Sequence, residues 1–226
     1  MPFFNLHTHI ATDTPVVLEL VNQYPWEFDA AIPCYSIGIH PWYIDDNRLA
    51  TDLQTIDEKL ALPECLALGE CGLDKRIEIP MALQEEVFVK QIALAEKHQK
   101  PLVLHLVAAF DELIQIKKRL SISVPVIIHG FSKNEHVAKQ LLDHGFYLSF
   151  GKYLLRNPDL KPVFQSIPND KFFLETDTVE ETIEEVYALA AEYKGLSLVA
   201  LQEQLQMNWQ TVFGGAYYFS QKNRNG

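Results

Sequence analysis

The sequence has few cysteines, no long apolar run and no excess of positive charge, and each absence excludes a class of protein. Its three cysteines are odd in number and form no Cys-x-x-Cys pair, which indicates reduced thiols in a cytoplasmic protein. No run approaches the roughly 18 apolar residues of a membrane span, and no basic segment followed by an apolar one marks a secretion signal. We therefore expect a cytoplasmic protein without a membrane partner.

Acidic residues outnumber basic ones by 30 to 19, which gives a formal net charge of −11. Such a chain has no general attraction for phosphate polymers, so any action on nucleic acid would need a local site with metal ions supplying positive charge. The hydrophobic content of 48% and charged content of 22% are those of a globular protein with a core. The length of 226 residues favours a single domain, which we place at 1–213, followed by a polar tail at 214–226.

The hydrophobic pattern predicts eight strands, most of them followed by a helix. The predicted strands are 3–10, 16–21, 34–40, 65–71, 102–105, 124–129, 146–150 and 172–177. The predicted helices are 49–62, 81–98, 109–120, 134–145, 182–193 and 198–212. Several strands are apolar throughout, as in a parallel sheet covered by helices. We therefore predict an α/β protein with a compact (β/α)8 TIM-barrel fold, whose functional groups lie at the C-terminal ends of the strands.

Five of these strands end, or nearly end, in a side chain that can bind a metal ion. In the first strand His7 and His9 lie on one face, about 7 Å apart, and can converge on a single ion. The other four candidates are Glu70, His105, His129 and Asp177. Because the ends of different strands meet at the mouth of a barrel, these six residues could surround one point. They could hold two divalent ions if one carboxylate bridges them.

Each candidate also has a structural interpretation. His105 alone is more simply a hydrogen-bonded residue, Glu70 could anchor a ligand from behind, and Asp177 could cap a helix. All six having such roles at once is much less plausible than a metal site. His40 is ambiguous, because it ends a strand but precedes a proline. We interpret Cys71 as a packed thiol, and the histidines on predicted helices as solvated: His98, His136 and His144.

These residues belong to an ordered set of motifs that resembles the TatD-like metal-dependent hydrolases from about residue 3 to residue 213. The motifs are His-Thr-His at 7–9, Gly-Ile-His-Pro at 38–41, Gly-Glu-Cys-Gly-Leu-Asp at 69–74, Pro-Leu-Val-Leu-His at 101–105, His-Gly-Phe-Ser at 129–132, Leu-Glu-Thr-Asp at 174–177, and Asn208 with Val212 and Phe213. The resemblance implies a TIM barrel of the amidohydrolase-like superfamily with divalent-metal hydrolysis, often of DNA ends. It further implies two sets of metal ligands. One comprises His7, His9, Glu70 and Asp177, and the other comprises Glu70, His105 and His129.

The chain departs from this family at three places. It has Asn5 where the family has Asp, it has Leu106 and Val107 where the family has a polar Ser-Arg pair, and it has a short loop after Asp177. The lost arginine removes a phosphate contact. Some replacement could come from basic residues in the loops after strands: Lys75, Arg76, Lys133 and Lys152. We expect an intact metal site that has fewer polar residues around it to contact the substrate.

Our interpretation is a two-metal hydrolase that cleaves phosphodiesters with the help of Zn, Mg or Mn ions. Asp177 would take the proton of the attacking water, Glu70 would set the metal spacing, and His40 would contact the phosphate. We expect small or terminal phosphodiesters, including DNA ends, as substrates. One alternative is C–N bond hydrolysis, which the absence of a strand-end lysine disfavours. The other is a non-catalytic barrel, for which the apolar pair after His105 is the best support. The sequence leaves the oligomeric state open, with a monomer as the default expectation.

Overall fold

The structure, a computed structural model, describes residues 2–12 and 14–214, so all but the first residue of the expected polar tail lies outside the described residues. Eight strands form one sheet in which every neighbouring pair is parallel and the spatial order follows the chain. The strands are β1 Phe3–Thr8, β2 Val17–Gln23, β3 Tyr35–Ile37, β4 Cys65–Asp74, β5 Leu102–Val107, β6 Val126–Ile128, β7 Tyr147–Phe150 and β8 Phe172–Leu174.

The last strand returns to the first at the C-terminal ends, where the sheet closes into a barrel. Thr8 and Asp177 form a parallel bridge. The backbone N–H of His9 donates to the Asp177 carbonyl at 3.1 Å, and the N–H of Asp177 donates to the His7 carbonyl at 2.9 Å. The (β/α)8 barrel predicted from the sequence is therefore confirmed. Its closing hydrogen bonds also fix the backbone at three of the predicted metal ligands.

The helices lie between the strands as the periodicity predicted, with one addition. Their bounds are α1 Leu49–Leu60, α2 Met81–His98, α3 Phe110–Leu120, α4 Glu135–Asp143, α5 Lys152–Arg156, α6 Leu160–Ser166, α7 Ile183–Lys194 and α8 Leu198–Phe213. The pair α5 and α6 between β7 and β8 was not predicted. Each is too short for a clear helical stripe, since α5 has 5 residues and α6 has 7. Between β2 and β3 there is only a short 3-10 turn, as expected.

Several strands are shorter than the sequence predicted, and the difference lies at their C-terminal ends. The segments 9–10, 38–40 and 175–177 were predicted as strand, but they leave the sheet ladder after β1, β3 and β8. At Asp177 the backbone is left-handed, with φ of 57°. Most residues with a side chain are strongly disfavoured in this conformation, but Asn and Asp adopt it more readily than the others. The chain at 38–40 and 175–177 stays buried beyond the hydrogen-bonded strand, because it lies at the mouth of the barrel, whereas Ile10 is exposed.

Two predictions about side chains outside the site had different outcomes. All three cysteines are buried, and Cys71 is fully packed, as predicted. His136 is exposed as expected, but His98 is not solvated. Its side chain is only 15% exposed, and its Nε2 lies 2.6 Å from Asp57 Oδ1 on α1. In the part of the chain that the structure describes, no helix combines the length and apolar character needed to span a bilayer.

Candidate metal centre

All six predicted metal ligands meet at the C-terminal end of the barrel. His7 lies in β1, Glu70 in β4 and His105 in β5, while His129 directly follows β6. His9 follows β1, and Asp177 lies on the segment after β8 that closes the barrel. The convergence follows from the parallel barrel, in which every strand ends at the same mouth.

Glu70 is the centre of the arrangement, and its backbone is held in place by neighbouring strands. The Asn22 side chain of β2 accepts the Glu70 N–H at 2.6 Å. A Cβ atom at Gly38 would lie 2.8 Å from the Glu70 carbonyl oxygen, so only glycine permits this close approach after β3. The carboxylate is buried, which raises its pKa, but the charge of His129 and hydrogen bonds from the histidines hold the pKa well below its usual range. Glu70 is therefore a buried, ionised group.

One oxygen of Glu70 lies in a group of four candidate ligand atoms, together with atoms of His7, His9 and Asp177. His7 Nε2 lies 3.6 Å from Glu70 Oε2 and 3.9 Å from Asp177 Oδ1. His9 Nε2 lies 3.6 Å from each of the same two oxygens. Ligands of a tetrahedral ion are about 2.0–2.2 Å from the metal and therefore about 3.3–3.6 Å from one another. Three of these four distances lie at the upper end of that range, and the fourth, from His7 Nε2 to Asp177 Oδ1, is longer.

His7 gives the strongest indication that a cation fits here. Its side chain is fully buried, yet neither ring nitrogen has a hydrogen-bond partner among the described residues. Burial, together with the charge of His129, lowers the pKa of His7 to about 3. A neutral imidazole with an unused lone pair is the form that binds a metal, whereas a buried polar atom without a partner is destabilising. The residues present therefore fit a divalent ion.

The other oxygen of Glu70 faces three more histidines. Glu70 Oε1 lies 2.7 Å from His129 Nε2, 3.2 Å from His105 Nδ1 and 3.3 Å from His40 Nε2. The ligand atoms of Glu70, His40 and His105 all lie within 4.8 Å of one another, and so do those of His129, His7 and Asp177. A carboxylate with one oxygen toward each group is in the position of a bridging ligand.

Hydrogen bonding distinguishes His40 from the other histidines. His40 Nδ1 accepts the backbone N–H of Trp42 at 3.1 Å. In the neutral ring the proton must then be on Nε2, the nitrogen that faces Glu70. His40 is therefore a hydrogen-bond donor toward the centre of the site and not a lone-pair ligand. This agrees with the expected role of His40 in contacting a substrate oxygen, which stays a prediction.

His105 lies between two carboxylates, with Glu70 on one side of the ring and Asp74 on the other. Asp74 Oδ2 is 3.2 Å from His105 Nε2, and Asp74 also accepts from Trp42 Nε1 at 2.8 Å and from the Arg76 N–H at 2.8 Å. Although burial raises its pKa, these hydrogen bonds leave the pKa of Asp74 below its usual value. The other ring nitrogen, Nδ1, is equally close to Glu70 Oε1 at 3.2 Å. A neutral ring can donate to only one of these two ionised carboxylates, and a cation between Nδ1 and Glu70 would leave the ring proton to Asp74.

Glu175 has the same position behind His129. Its carboxylate is 1% exposed, its Oε1 accepts the Gly130 N–H at 2.7 Å, and the same oxygen lies 3.5 Å from His129 Nδ1. Burial lowers the pKa of His129, but the charges of Glu70 and Glu175 raise it well above its usual value. Carboxylates behind metal-binding histidines orient the ring and strengthen the ligand.

The sequence analysis gave Asp74 and Glu175 no role, although a signal for them was present. Asp74 lies four residues after Glu70, and Glu175 lies two residues before Asp177. Side chains at even spacing along extended chain point to the same side. Carboxylates at these spacings from a predicted ligand were therefore candidates for the same site.

Asp177 and Asn5 are held by contacts that the sequence did not indicate. Asp177 Oδ2 lies 2.5 Å from Lys152 Nζ at the start of α5. Burial raises the pKa of Asp177, but the charges of His129, His7 and Lys152 bring it below its usual value. The Asn5 amide donates to Thr176 Oγ1 at 2.8 Å and accepts the Thr176 N–H at 3.0 Å. Asn5 thus holds the backbone and the side chain of Thr176, the residue that precedes Asp177.

A cavity of about 630 Å³ opens above the metal-ligand cluster, within the size range of small-ligand sites. Part of its lining is aromatic and part is aliphatic, including the Leu106–Val107 pair. Three of the four basic residues predicted near the site line it: Arg76, Lys133 and Lys152. Lys75 instead pairs with Glu112 at 2.6 Å.

A parallel eight-stranded barrel with histidines and carboxylates converging at the C-terminal ends of its strands defines a TIM barrel with groups at its mouth that could hold metal ions. Within that class, the family model for TatD-related DNases matches residues 3–214, and the chain belongs to this family.

Individual proteins that are similar to this chain are consistent with its membership of the family. The chain is 33% identical to the protein named uncharacterized metal-dependent hydrolase YabD of Bacillus subtilis, over 74% of this chain and 66% of the relative. It is 28% identical to the protein named 3'-5' ssDNA/RNA exonuclease TatD of Escherichia coli K12, over 64% of this chain and 57% of the relative. The matched region is thus less than two thirds of either relative. The crystal structure of the TatD homologue YjjV of Escherichia coli K12 has the same fold, with a TM-score of 0.79 at 21% identity, covering 93% of this chain and 97% of that one.

Proposed function

We propose that this protein is a metal-dependent hydrolase that cleaves phosphodiester bonds with two divalent ions, which would be Zn, Mg or Mn. The observation that carries the proposal is the position of Glu70. One of its oxygens faces His7 and His9, and the other faces His105 and His129. Such ions polarise a phosphoryl oxygen and bring the pKa of a water toward neutrality. The first ion would be held by His7, His9, Glu70 and Asp177, and the second by Glu70, His105 and His129.

The protein's own groups would then have separate roles. Asp177 is ionised and would accept the proton of the attacking water at Oδ2, the oxygen that faces Lys152. His40 would donate from Nε2 to a phosphate oxygen, because its Nδ1 is already occupied by the Trp42 N–H. Glu70 would fix the separation of the two ligand groups.

We further propose that the substrates are small or terminal phosphodiesters, including the ends of DNA strands. Binding a long DNA strand requires cationic contacts along several phosphates. Here the cavity is lined by Arg76, Lys133 and Lys152, and the net charge of the chain is −11. Leu106 and Val107 make part of the wall apolar. The cytoplasmic location and the monomeric state stay predictions.

The test combines metal content with turnover on one preparation. After reconstitution with Zn²⁺, Mn²⁺ or Mg²⁺, elemental analysis should give close to two ions per chain, and a dinucleotide should be hydrolysed. Glu70→Gln should lose both properties. Glu203→Gln, on the exposed side of α8, is the matched control and should keep them. Two bound ions without hydrolysis of any phosphodiester would favour the non-catalytic alternative, and hydrolysis of an amide substrate instead would favour C–N chemistry.

A further inference from the structure

Trp42 is an exposed aromatic residue that the structure holds rigidly at the edge of the metal site. It lies in the 3-10 turn Pro41–Tyr43 and is 52% exposed, more than is usual for a large apolar side chain. Its indole Nε1 donates to Asp74 Oδ2 at 2.8 Å, and its backbone N–H donates to His40 Nδ1 at 3.1 Å. Both partners belong to the site, so the exposed ring has a fixed position relative to the metal ligands.

The indole lies next to the histidines of the second ligand group. Its ring centroid is 4.9 Å from that of His40 and 5.6 Å from that of His105, at interplanar angles of 83° and 75°. His105 Nδ1 in turn lies 3.2 Å from Glu70 Oε1. One imidazole therefore separates the tryptophan from the centre of the site. The rest of the indole lines the cavity.

Two tyrosines extend this surface, and we call the three residues Tyr24, Trp42 and Tyr43 the aromatic wall. All three line the cavity. Tyr43 lies 5.6 Å from the His40 ring and 5.4 Å from Tyr24. Tyr24 is itself stacked on Trp26 at 5.0 Å with an interplanar angle of 11°. The three rings therefore contact one another or the residues behind them, with Tyr24 stacked on Trp26 and Trp42 hydrogen-bonded to Asp74.

A rigid aromatic surface beside a phosphodiester site favours ligands that carry a planar ring. Every nucleobase has a π-face that can stack on an aromatic side chain without regard to sequence. A nucleobase is separated from its phosphate by one sugar, and the aromatic wall is separated from Glu70 by one imidazole. The backbone N–H of Arg76 donates to Asp74, the carboxylate that also accepts from Trp42, and Arg76 lines the same cavity.

We propose that the aromatic wall is a binding subsite for the planar ring of a substrate, such as the base of a terminal nucleotide, and that Trp42 is its specificity-determining residue. The proposal rests on the proposed function for the position of the phosphate. It adds that the preferred substrates are phosphodiesters with a base or aryl group next to the scissile phosphate, and that equally charged diesters without a ring are poor substrates.

The test compares two substrates that differ only in their bases: dithymidine phosphate and the same sugar–phosphate diester without bases. The metal-reconstituted protein should have a kcat/KM at least about 10-fold higher for dithymidine phosphate, which corresponds to about 1.4 kcal/mol. Trp42→Ala should abolish this preference through KM, with kcat changed little, and Trp42→Phe should keep most of it. Met207→Ala, which removes an equally exposed apolar side chain (52%) from α8, should change nothing.

A binding measurement separates this proposal from the proposed function. Calorimetry should show thymidine 5'-monophosphate binding more tightly than deoxyribose 5-phosphate, with the difference lost in Trp42→Ala. That result without hydrolysis of either diester would support the subsite and overturn the proposed function. Hydrolysis of both diesters at equal kcat/KM, unaffected at Trp42, would overturn the subsite and leave the function standing. Because the wild-type comparison needs no variant, the proposal stays testable even if Trp42→Ala does not fold.

Discussion

Returning a divalent ion to chelator-treated protein should raise its thermal stability by an amount set by the ion concentration relative to its Kd. The ligands come from β1, β4 and the segment after β8, so they converge only in the folded protein. An ion that binds only the folded state stabilises it by about 2.7 kcal/mol at a concentration 100-fold above its Kd. For a chain of this size, each kcal/mol shifts Tm by about 2–4 °C. The expected increase is therefore about 5–11 °C for each ion bound.

His7→Leu is the most informative variant for this experiment. It removes a ligand and also two buried nitrogens that have no hydrogen-bond partner among the described residues. An unsatisfied buried polar atom is destabilising by about 1–3 kcal/mol, so the chelator-treated variant should be as stable as the wild type or more so. Its response to the ion should be much reduced. His136→Leu, at an exposed position of α4, is the control and should respond as the wild type does.

Differential scanning calorimetry in chelator, followed by titration with Zn²⁺ or Mn²⁺, measures both effects, and elemental analysis of the same samples gives the number of ions. The reasoning would be refuted if folded wild-type protein bound no ion and showed no change in Tm. An equal increase in His7→Leu would show that the ions bind elsewhere. A large loss of stability in chelator-treated His7→Leu would mean that the imidazole has a structural role in the metal-free protein.

Three further predictions concern catalysis and ion binding. Asp177→Asn should lower turnover by at least ~10²-fold, because the residue would be the proton acceptor. Its circular dichroism spectrum should stay unchanged, because the side chain supports little of the core. A near-normal kcat would show that another group is the base. Asp74→Asn should weaken ion binding by about 10–100-fold in calorimetry, because one amide oxygen cannot accept from Trp42, Arg76 and His105 where two carboxylate oxygens now do. Asp143→Asn, on the exposed end of α4, should bind ions normally. Finally, kcat/KM should be higher for a short dinucleotide than for long single-stranded DNA, and a preference for long DNA that weakens steeply with salt would contradict this.

The fold was predictable because local patterns determine it. Eight short apolar segments alternate with amphipathic ones such as α2, whose buried residues Val87, Phe88, Ile92 and Ala95 have helical spacing. A parallel sheet of such units places all strand ends on one side, so strand-end ligands predict a shared site without knowledge of any distance. The prediction failed where the pattern was too short, at α5 and α6, and where chain beyond the strand ends stays buried, as at residues 175–177.

The sequence by itself therefore determined the barrel and brought six candidate ligand side chains to one mouth, because periodicity and residue type act along the chain. Only the tertiary structure decided how those side chains are arranged. It placed Asp74 behind His105 and Glu175 behind His129, each next to the ring nitrogen that is not the one facing Glu70. It also paired Lys152 with Asp177. Such contacts join residues that are far apart along the chain, and they depend on strand register and side-chain rotamers. Spacing along the chain indicated that Asp74 and Glu175 lie on the side of the site, but not which side chains they contact.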